Sequence, residues 1–175
     1  MLVLVDYQQR LMPAIHQGDR VLAEAVRLAD AARALAIPVV GTEQNPRGLG
    51  PNAEAIRSRC DATVSKMSFD ACADGLVREV RARRPDASDV VIAGCEAHVC
   101  LMQTALGSMR EGFRLWVVAS ACGSRFAEDR ELALRRLQAE GAVLASVEMV
   151  AFEWMRTCEH ERFKEVLAIL KAPRA

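Results

Sequence analysis

The sequence predicts an α/β protein in three layers, with an open, parallel six-stranded sheet between two layers of helices. Three observations carry this. Short apolar runs alternate with longer segments of helical periodicity along the whole chain, the pattern of strands joined by crossover helices. The runs at 2–5 and 89–94 are apolar almost throughout, as strands covered on both faces are. Residues able to do chemistry stand directly after strands, which is where ligands bind in such sheets.

The elements follow in order. Residues 2–5 form the first strand. Asp19 caps a helix to about residue 36, on which Val21, Leu22, Ala25, Val26, Leu28, Ala29 and Ala32 make one apolar face. Pro38 opens the second strand, 39–42, and a loop dense in turn formers follows over 44–51. Asn52 caps a short helix to about Arg59, and 62–65 is a third, weakly marked strand. A helix over 75–84 is stopped by Pro85. The fourth strand is 89–94. A helix over 99–111 ends on Gly112, at the position a left-handed cap favours. The fifth strand is 115–119, the helix 128–140 ends at Gly141, and 143–147 is the sixth strand. The remainder is helical, with Phe163, Val166, Leu167 and Leu170 as a docking stripe. No repeat or linker interrupts the 175 residues, so 1–175 is read as one domain.

Composition narrows the function classes. Lys and Arg number 23 and so do Asp and Glu, which gives no global attraction to a phosphate backbone or an anionic membrane. Arg78, Arg81, Arg83 and Arg84 read as a solvated helix face. No stretch approaches the ~20 apolar residues of a membrane span, and residues 1–5 lack the basic flank and length of a secretion signal. The expectation is a cytoplasmic protein whose six cysteines are reduced, without nucleic-acid or membrane partners. The cysteines form no paired CxxC motifs, so neither a zinc ribbon nor a thioredoxin site is indicated. The cluster Cys95-x-x-His98-x-Cys100 lacks the second ligand group a tetrahedral site needs, and no metal or cofactor is expected.

Three strand ends carry unusual residues. Asp6 follows four apolar residues, where a carboxylate costs free energy unless it is paired or used. Lys66 follows the third strand. Cys100 lies where a helix begins after the fourth strand, and free amides and the helix dipole favour a thiolate there. A carboxylate beside the thiol could take its proton and later return it to a leaving group. His98, two residues from Cys100, does not face it on a helix and reads as a pocket or packing residue. Gln8, Glu43 and Gln44 are candidates for a substrate pocket or for satisfying backbone at strand ends.

The wording around these residues resembles the isochorismatase-like cysteine hydrolases. Val5-Asp6-Tyr7-Gln8, Lys66 followed by Ser68-Phe69, and Gly94-Cys95-Glu96-Ala97-His98-Val99-Cys100 with Thr104-Ala105 carry the likeness. Thr42-Glu43-Gln44, the loop Gly48-Leu49-Gly50-Pro51 and Ala121-Cys122-Gly123-Ser124-Arg125 are most similar to the branch of isochorismatase-domain-containing proteins. The resemblance implies strand order 3-2-1-4-5-6, a catalytic triad of Asp6, Lys66 and Cys100, and a cis peptide bond between Cys95 and Glu96. It also implies an oxyanion hole made by the backbone N–H groups of Glu96 and Cys100. A homo-oligomer is expected from the family, with Phe152 and Trp154 available for an interface.

Departures from the family's patterns narrow the reaction. Nicotinamidases carry an Asp-x-His metal cluster after strand two, whereas residues 42–46 here hold no histidine. True isochorismatases split a vinyl ether without a nucleophilic cysteine, and Cys100 is present. By elimination, the expected activity is cysteine-dependent hydrolysis of a small amide or carbamoyl-type C–N bond through a thioester. Two other classes use the same residues: a small-molecule-binding protein without turnover, and a thiol-redox protein in which Cys100 is oxidised with Cys95 or Cys122.

Overall fold

The structure is a computed structural model, and it describes residues 1–172. Six parallel strands form one sheet in the order β3-β2-β1-β4-β5-β6. They are β1 (Leu2–Val5), β2 (Val39–Gln44), β3 (Ala62–Lys66), β4 (Asp89–Gly94), β5 (Arg114–Val118) and β6 (Val143–Ala145). Strands β1 and β2 are buried at every position; β1 accordingly reads as an unbroken apolar run, whereas β2 turns polar from Thr42 to Gln44, where it reaches the site. Edge strand β3 alternates between half-buried and exposed until it reaches Lys66, so its hydrophobic signal is weak.

The helices are α1 (Gly18–Ala34), α2 (Pro46–Leu49), α3 (Glu54–Arg57), α4 (Leu76–Arg83), α5 (Met102–Arg110), α6 (Ala127–Ala139), α7 (Val147–Met155) and α8 (Phe163–Lys171). Helix α1 packs against α7 and α8, α5 packs against α6, and helices cover both sides of the sheet. The α8 stripe docks as its spacing requires, with Val166 and Leu170 buried. The arginines near the end of α4 have partners within the chain. Arg81 lies 4.4 Å over the Phe113 ring, and Arg83 pairs with Glu79.

Several boundaries differ from the sequence reading, each for a local reason. Helix α1 starts at Gly18 behind Gln17, whose φ is +53° and whose side chain makes no cap. Asp19 instead lies in the first turn, where a carboxylate still suits the dipole. Asn52 is not a cap, because its side-chain amide donates to the Thr42 carbonyl at 3.0 Å. Strand β6 stops at Ala145, since the Ser146 hydroxyl accepts from the Met149 amide at 3.2 Å and caps α7. The helix expected over 99–111 is a π-turn at Ala97–Leu101 followed by α5, and π-turns concentrate at functional sites.

Parallel pairing sets the ends of β1, β2 and β4 side by side, with Val5 in register with both Thr42 and Gly94. Order reverses between β1 and β4, so this is the switch point of the sheet. Gly94 is required there. A Cβ at that position would lie 2.5 Å from the Val5 Cβ and press on the Val5 carbonyl.

Candidate active site

Asp6 leaves β1 with φ +55°, a left-handed conformation that Asp tolerates better than most residues. The turn sends Tyr7 into the core, where its hydroxyl donates to the Ala121 carbonyl at 2.5 Å. It also aims the Asp6 carboxylate across the strand ends. Oδ1 accepts from the Thr42 hydroxyl at 2.6 Å. Oδ2 faces the Lys66 Nζ at 2.8 Å, and neither side chain reaches solvent. The approach is off the hydrogen-bond direction, so Oδ2 is paired in charge but accepts no directed hydrogen bond. A buried pair of this kind is held by its further bonds, and removing one partner typically costs about 3–5 kcal/mol.

Lys66 closes β3. Its Nζ also donates to Gln44 Oε1 at 2.8 Å and to the carbonyls of Ser68 and Phe69 at 3.4 and 3.3 Å. Gln44 is held in turn by Gln8. The Gln8 amide oxygen accepts from the Gln44 N–H at 3.0 Å, and its nitrogen donates to the carbonyls of Gln44 and Gly50. Gln8 is therefore wholly buried and spends both ends of its amide on bracing the loop. The Glu43 carboxylate accepts from the Asn52 N–H at 2.8 Å, again a brace at a strand end.

Cys100 sits in the π-turn with 7% exposure. Its thiol interacts with both the Asp6 carboxylate and the Lys66 ammonium, so the fold brings the three strand-end residues together. Burial comes first in setting its acidity, Asp6 adds to it, and Lys66 opposes. The result is a thiol pushed up to about 12. Burial and the Asp6 charge together outweigh the Lys66 cation, a direction opposite to the thiolate expected from a helix start.

The Cys95–Glu96 peptide is cis. The Glu96 N–H has no acceptor among the described residues. Its carboxylate accepts from both the backbone N–H and the Nε of Arg125, at 2.9 and 3.0 Å. The next amide, Ala97 N–H, donates to the Gly123 carbonyl at 2.7 Å. The π-turn is thus clamped to the segment after β5. His98 Nδ1 lies 3.0 Å from the Ser124 hydroxyl and its Nε2 is 3.9 Å from Asp129, so its ring is engaged on the α6 side.

Sequence reasoning quoted Thr42 and Arg125 within family-like motifs but gave neither a part in the site. Thr42 had a usable signal, because a hydroxyl ending strand two must neighbour whatever ends strand one in a parallel sheet. For Arg125 the motif gave no partner, since only the fold brings it to Glu96 across 29 positions.

The isochorismatase domain model matches residues 1–149. This chain belongs to the isochorismatase family. The mouse isochorismatase domain-containing protein 2A is 34% identical, over 98% of this chain and 82% of its own length. A zebrafish isochorismatase domain-containing protein 1 is 36% identical, over 95% of this chain and 59% of its own. Among solved structures, one described as the MAR1 ribonuclease of Caenorhabditis elegans aligns with a TM-score of 0.91 at 28% identity, covering 99% of this chain and 90% of that one. The Escherichia coli YcaC product, described as an octameric hydrolase of unknown specificity, aligns with a TM-score of 0.88 at 27% identity, covering 97% and 84%. The isochorismatase fold and its strand order are those expected, and the family supports a hydrolase. Among the described residues no helix is long and apolar enough to cross a membrane.

Proposed function

We propose that this isochorismatase-family protein is a cysteine hydrolase that cleaves a small amide or carbamoyl-type C–N bond through a thioester. The observation that carries the reading is the buried Asp6–Lys66 pair at 2.8 Å, with the Cys100 thiol against both groups. Burial pushes the Cys100 thiol up to about 12, so its proton must be taken during attack, and in this reading Asp6 is the base that takes it.

In the proposed cycle the Cys100 Sγ attacks the carbonyl carbon as its proton passes to Asp6. The Glu96 and Cys100 N–H groups receive the oxyanion, each worth about 3 kcal/mol when well aimed. The C–N bond breaks, Asp6 returns the proton to the leaving nitrogen, and a thioester remains. Asp6 then takes a proton from water as the water attacks, the thioester C–S bond breaks to release the carboxylic or carbamic acid, and Asp6 returns the proton to the Cys100 sulfur. Lys66 stabilises the developing thiolate and holds Asp6 in place. No metal or cofactor takes part in these steps.

The nearly complete burial of Asp6, Lys66 and Cys100 favours a small molecule over a polynucleotide, so the ribonuclease description of the nematode relative is not carried over. A structure of YcaC from Pseudomonas aeruginosa, 25% identical to this chain, is described with covalent acrylamide. A small amide electrophile therefore serves as a probe here. The octameric YcaC relative supports a homo-oligomer. The exposed Met149 and Phe152 on α7 are available for contact between copies.

The test is ammonia or amine release from a panel of small amides and carbamoyl compounds, with intact-mass detection of the acyl-enzyme. Turnover lost in Cys100→Ala, with a thioester adduct seen in the native protein, supports the reading. Undiminished release by Cys100→Ala overturns it.

A further inference from the structure

Asp6 follows β1 and Lys66 ends β3, and β2 lies between those strands. Neighbouring strands are about 4.8 Å apart, so the two backbones stand roughly 10 Å from each other. Their side chains can meet only over the end of β2. Residues two apart on a strand share a face, and the last two on one face of β2 are Thr42 and Gln44. Each takes one member of the pair. The Thr42 hydroxyl donates to Asp6 Oδ1 at 2.6 Å, and Gln44 Oε1 accepts from the Lys66 Nζ at 2.8 Å.

The two members are not held equally well. The Lys66 ammonium has three N–H groups and further acceptors in the carbonyls of Ser68 and Phe69, so its place does not rest on Gln44 alone. Among the described residues, the one directed hydrogen bond to the Asp6 carboxylate comes from Thr42, because Oδ2 accepts none. Rotation of a carboxylate about its last side-chain bond is soft, so charge pairing with Lys66 sets its distance but not its tilt. Thr42 is built to set the tilt. Its branched Cβ restricts it to few rotamers. Its carbonyl is tied on two sides, by the Asp6 N–H at 3.2 Å and by the Asn52 side-chain amide at 3.0 Å. Thr42 is also fully buried, so it acts through Asp6 and not on a substrate.

We infer that Thr42 is a positioning residue for the reaction: its hydroxyl fixes the tilt of the Asp6 carboxylate at which a proton passes between Asp6 and Cys100. This rests on the reading of Asp6 as the base for Cys100. Without the hydroxyl, Oδ1 becomes a buried acceptor with no partner, a state that costs free energy. The carboxylate then turns to share both oxygens with the Lys66 ammonium and is no longer aimed at the thiol.

The test compares Thr42→Val, which keeps the branched shape and lacks the hydroxyl, with Thr42→Ser, which keeps the hydroxyl. The first arm needs no substrate. Crystal structures should show the Asp6 carboxylate turned toward Lys66 in Thr42→Val, and Oδ1 still on the hydroxyl in Thr42→Ser. A carboxylate that has not turned in Thr42→Val overturns the inference. The second arm is kinetic and uses the amide or carbamoyl compound that the native protein turns over fastest. Thr42→Val should lower kcat about 100-fold, as misplacement of a catalytic group does, with KM unchanged. That split marks an interaction realised only in the transition state, whereas a loosened pocket would raise KM. Thr42→Ser should recover most of the lost kcat, although it fills the core less well than Val. A native kcat in Thr42→Val, or a Thr42→Ser protein as slow as Thr42→Val, overturns the inference. If the native protein turns over nothing in the panel, the hydrolase reading fails by itself, and the crystallographic arm still decides whether Thr42 sets the carboxylate.

Discussion

Replacing Asp6 by Asn should make Cys100 more reactive toward an alkylating agent while removing the activity. The two effects part because the carboxylate acts on the thiol in two ways. As a base it is needed in turnover, and its loss should lower the rate by about 10²–10⁴. As a negative charge beside Sγ it holds the thiol up, second only to burial, toward about 12. Asn keeps the shape and an acceptor for the Thr42 hydroxyl at Oδ1, but not the charge. Removing a like charge at this range lowers a thiol by about 1–3 pH units. The Lys66 ammonium, 2.8 Å from Asp6 Oδ2 in the native protein, is then left to pair with the thiolate. The thiolate fraction near pH 8 rises by about 10- to 1,000-fold. Each thiolate is a weaker nucleophile, with a Brønsted slope of about 0.4–0.5, so net alkylation rises by about 3- to 60-fold. Brief iodoacetamide labelling with peptide mapping measures this, and exposed Cys158 serves as the internal standard. If Cys100 labels no faster in a folded Asp6→Asn protein, the electrostatic account of the site is wrong.

Other outcomes follow from the same structure. Arg27 is buried on α1, pairs with Glu24 at 2.5 Å and donates to the Leu170 carbonyl of α8 at 2.6 Å. Arg27→Ala should cost about 3–5 kcal/mol, seen as a lower denaturant midpoint with α8 released first in hydrogen exchange. Burial pushes the Cys122 thiol up to about 12, from an ordinary value of 9.0. The folded state therefore holds a proton that the unfolded state loses, and this thiol's contribution to stability should fall between pH 9 and 12. Cys122→Ala should flatten that alkaline decline by about 1.4 kcal/mol per pH unit, read from denaturant melts at several pH values. Chelation should leave amide hydrolysis unchanged, because the segment over 42–46 at the end of β2 holds no histidine. Elemental analysis finding one tightly held zinc or iron per chain would contradict this.

The fold was legible because its central strands are buried throughout. Leu2–Val5 and Asp89–Gly94 must be apolar on both faces, and the intervening helices must each present a stripe, so the pattern of a parallel sheet is written in local chemistry. The strand-end placement of Asp6 and Lys66 was readable for the same reason, since each terminates a run that the sheet defines. The strand order itself came from family resemblance, not from periodicity, and the sheet has that order.

Boundaries were less legible where a side chain had two possible uses. Ser146 continues the apolar pattern of β6 as a neighbour but is taken as the α7 cap, and Asn52 could have capped a helix but bonds to Thr42. Such choices depend on which partner lies within reach, and reach is a property of the folded chain.

The sequence by itself determined the alternation of strands and helices and which chemical groups stand at the ends of the strands, because burial and periodicity act locally. Only the tertiary structure decided their state. It set Asp6 Oδ2 2.8 Å from Lys66, sank Cys100 far enough that burial pushes its thiol up despite the lysine beside it, and tied Glu96 to Arg125 across 29 positions. Acidity and aim are sums over neighbours distant in sequence, and those neighbours exist only once the sheet has assembled.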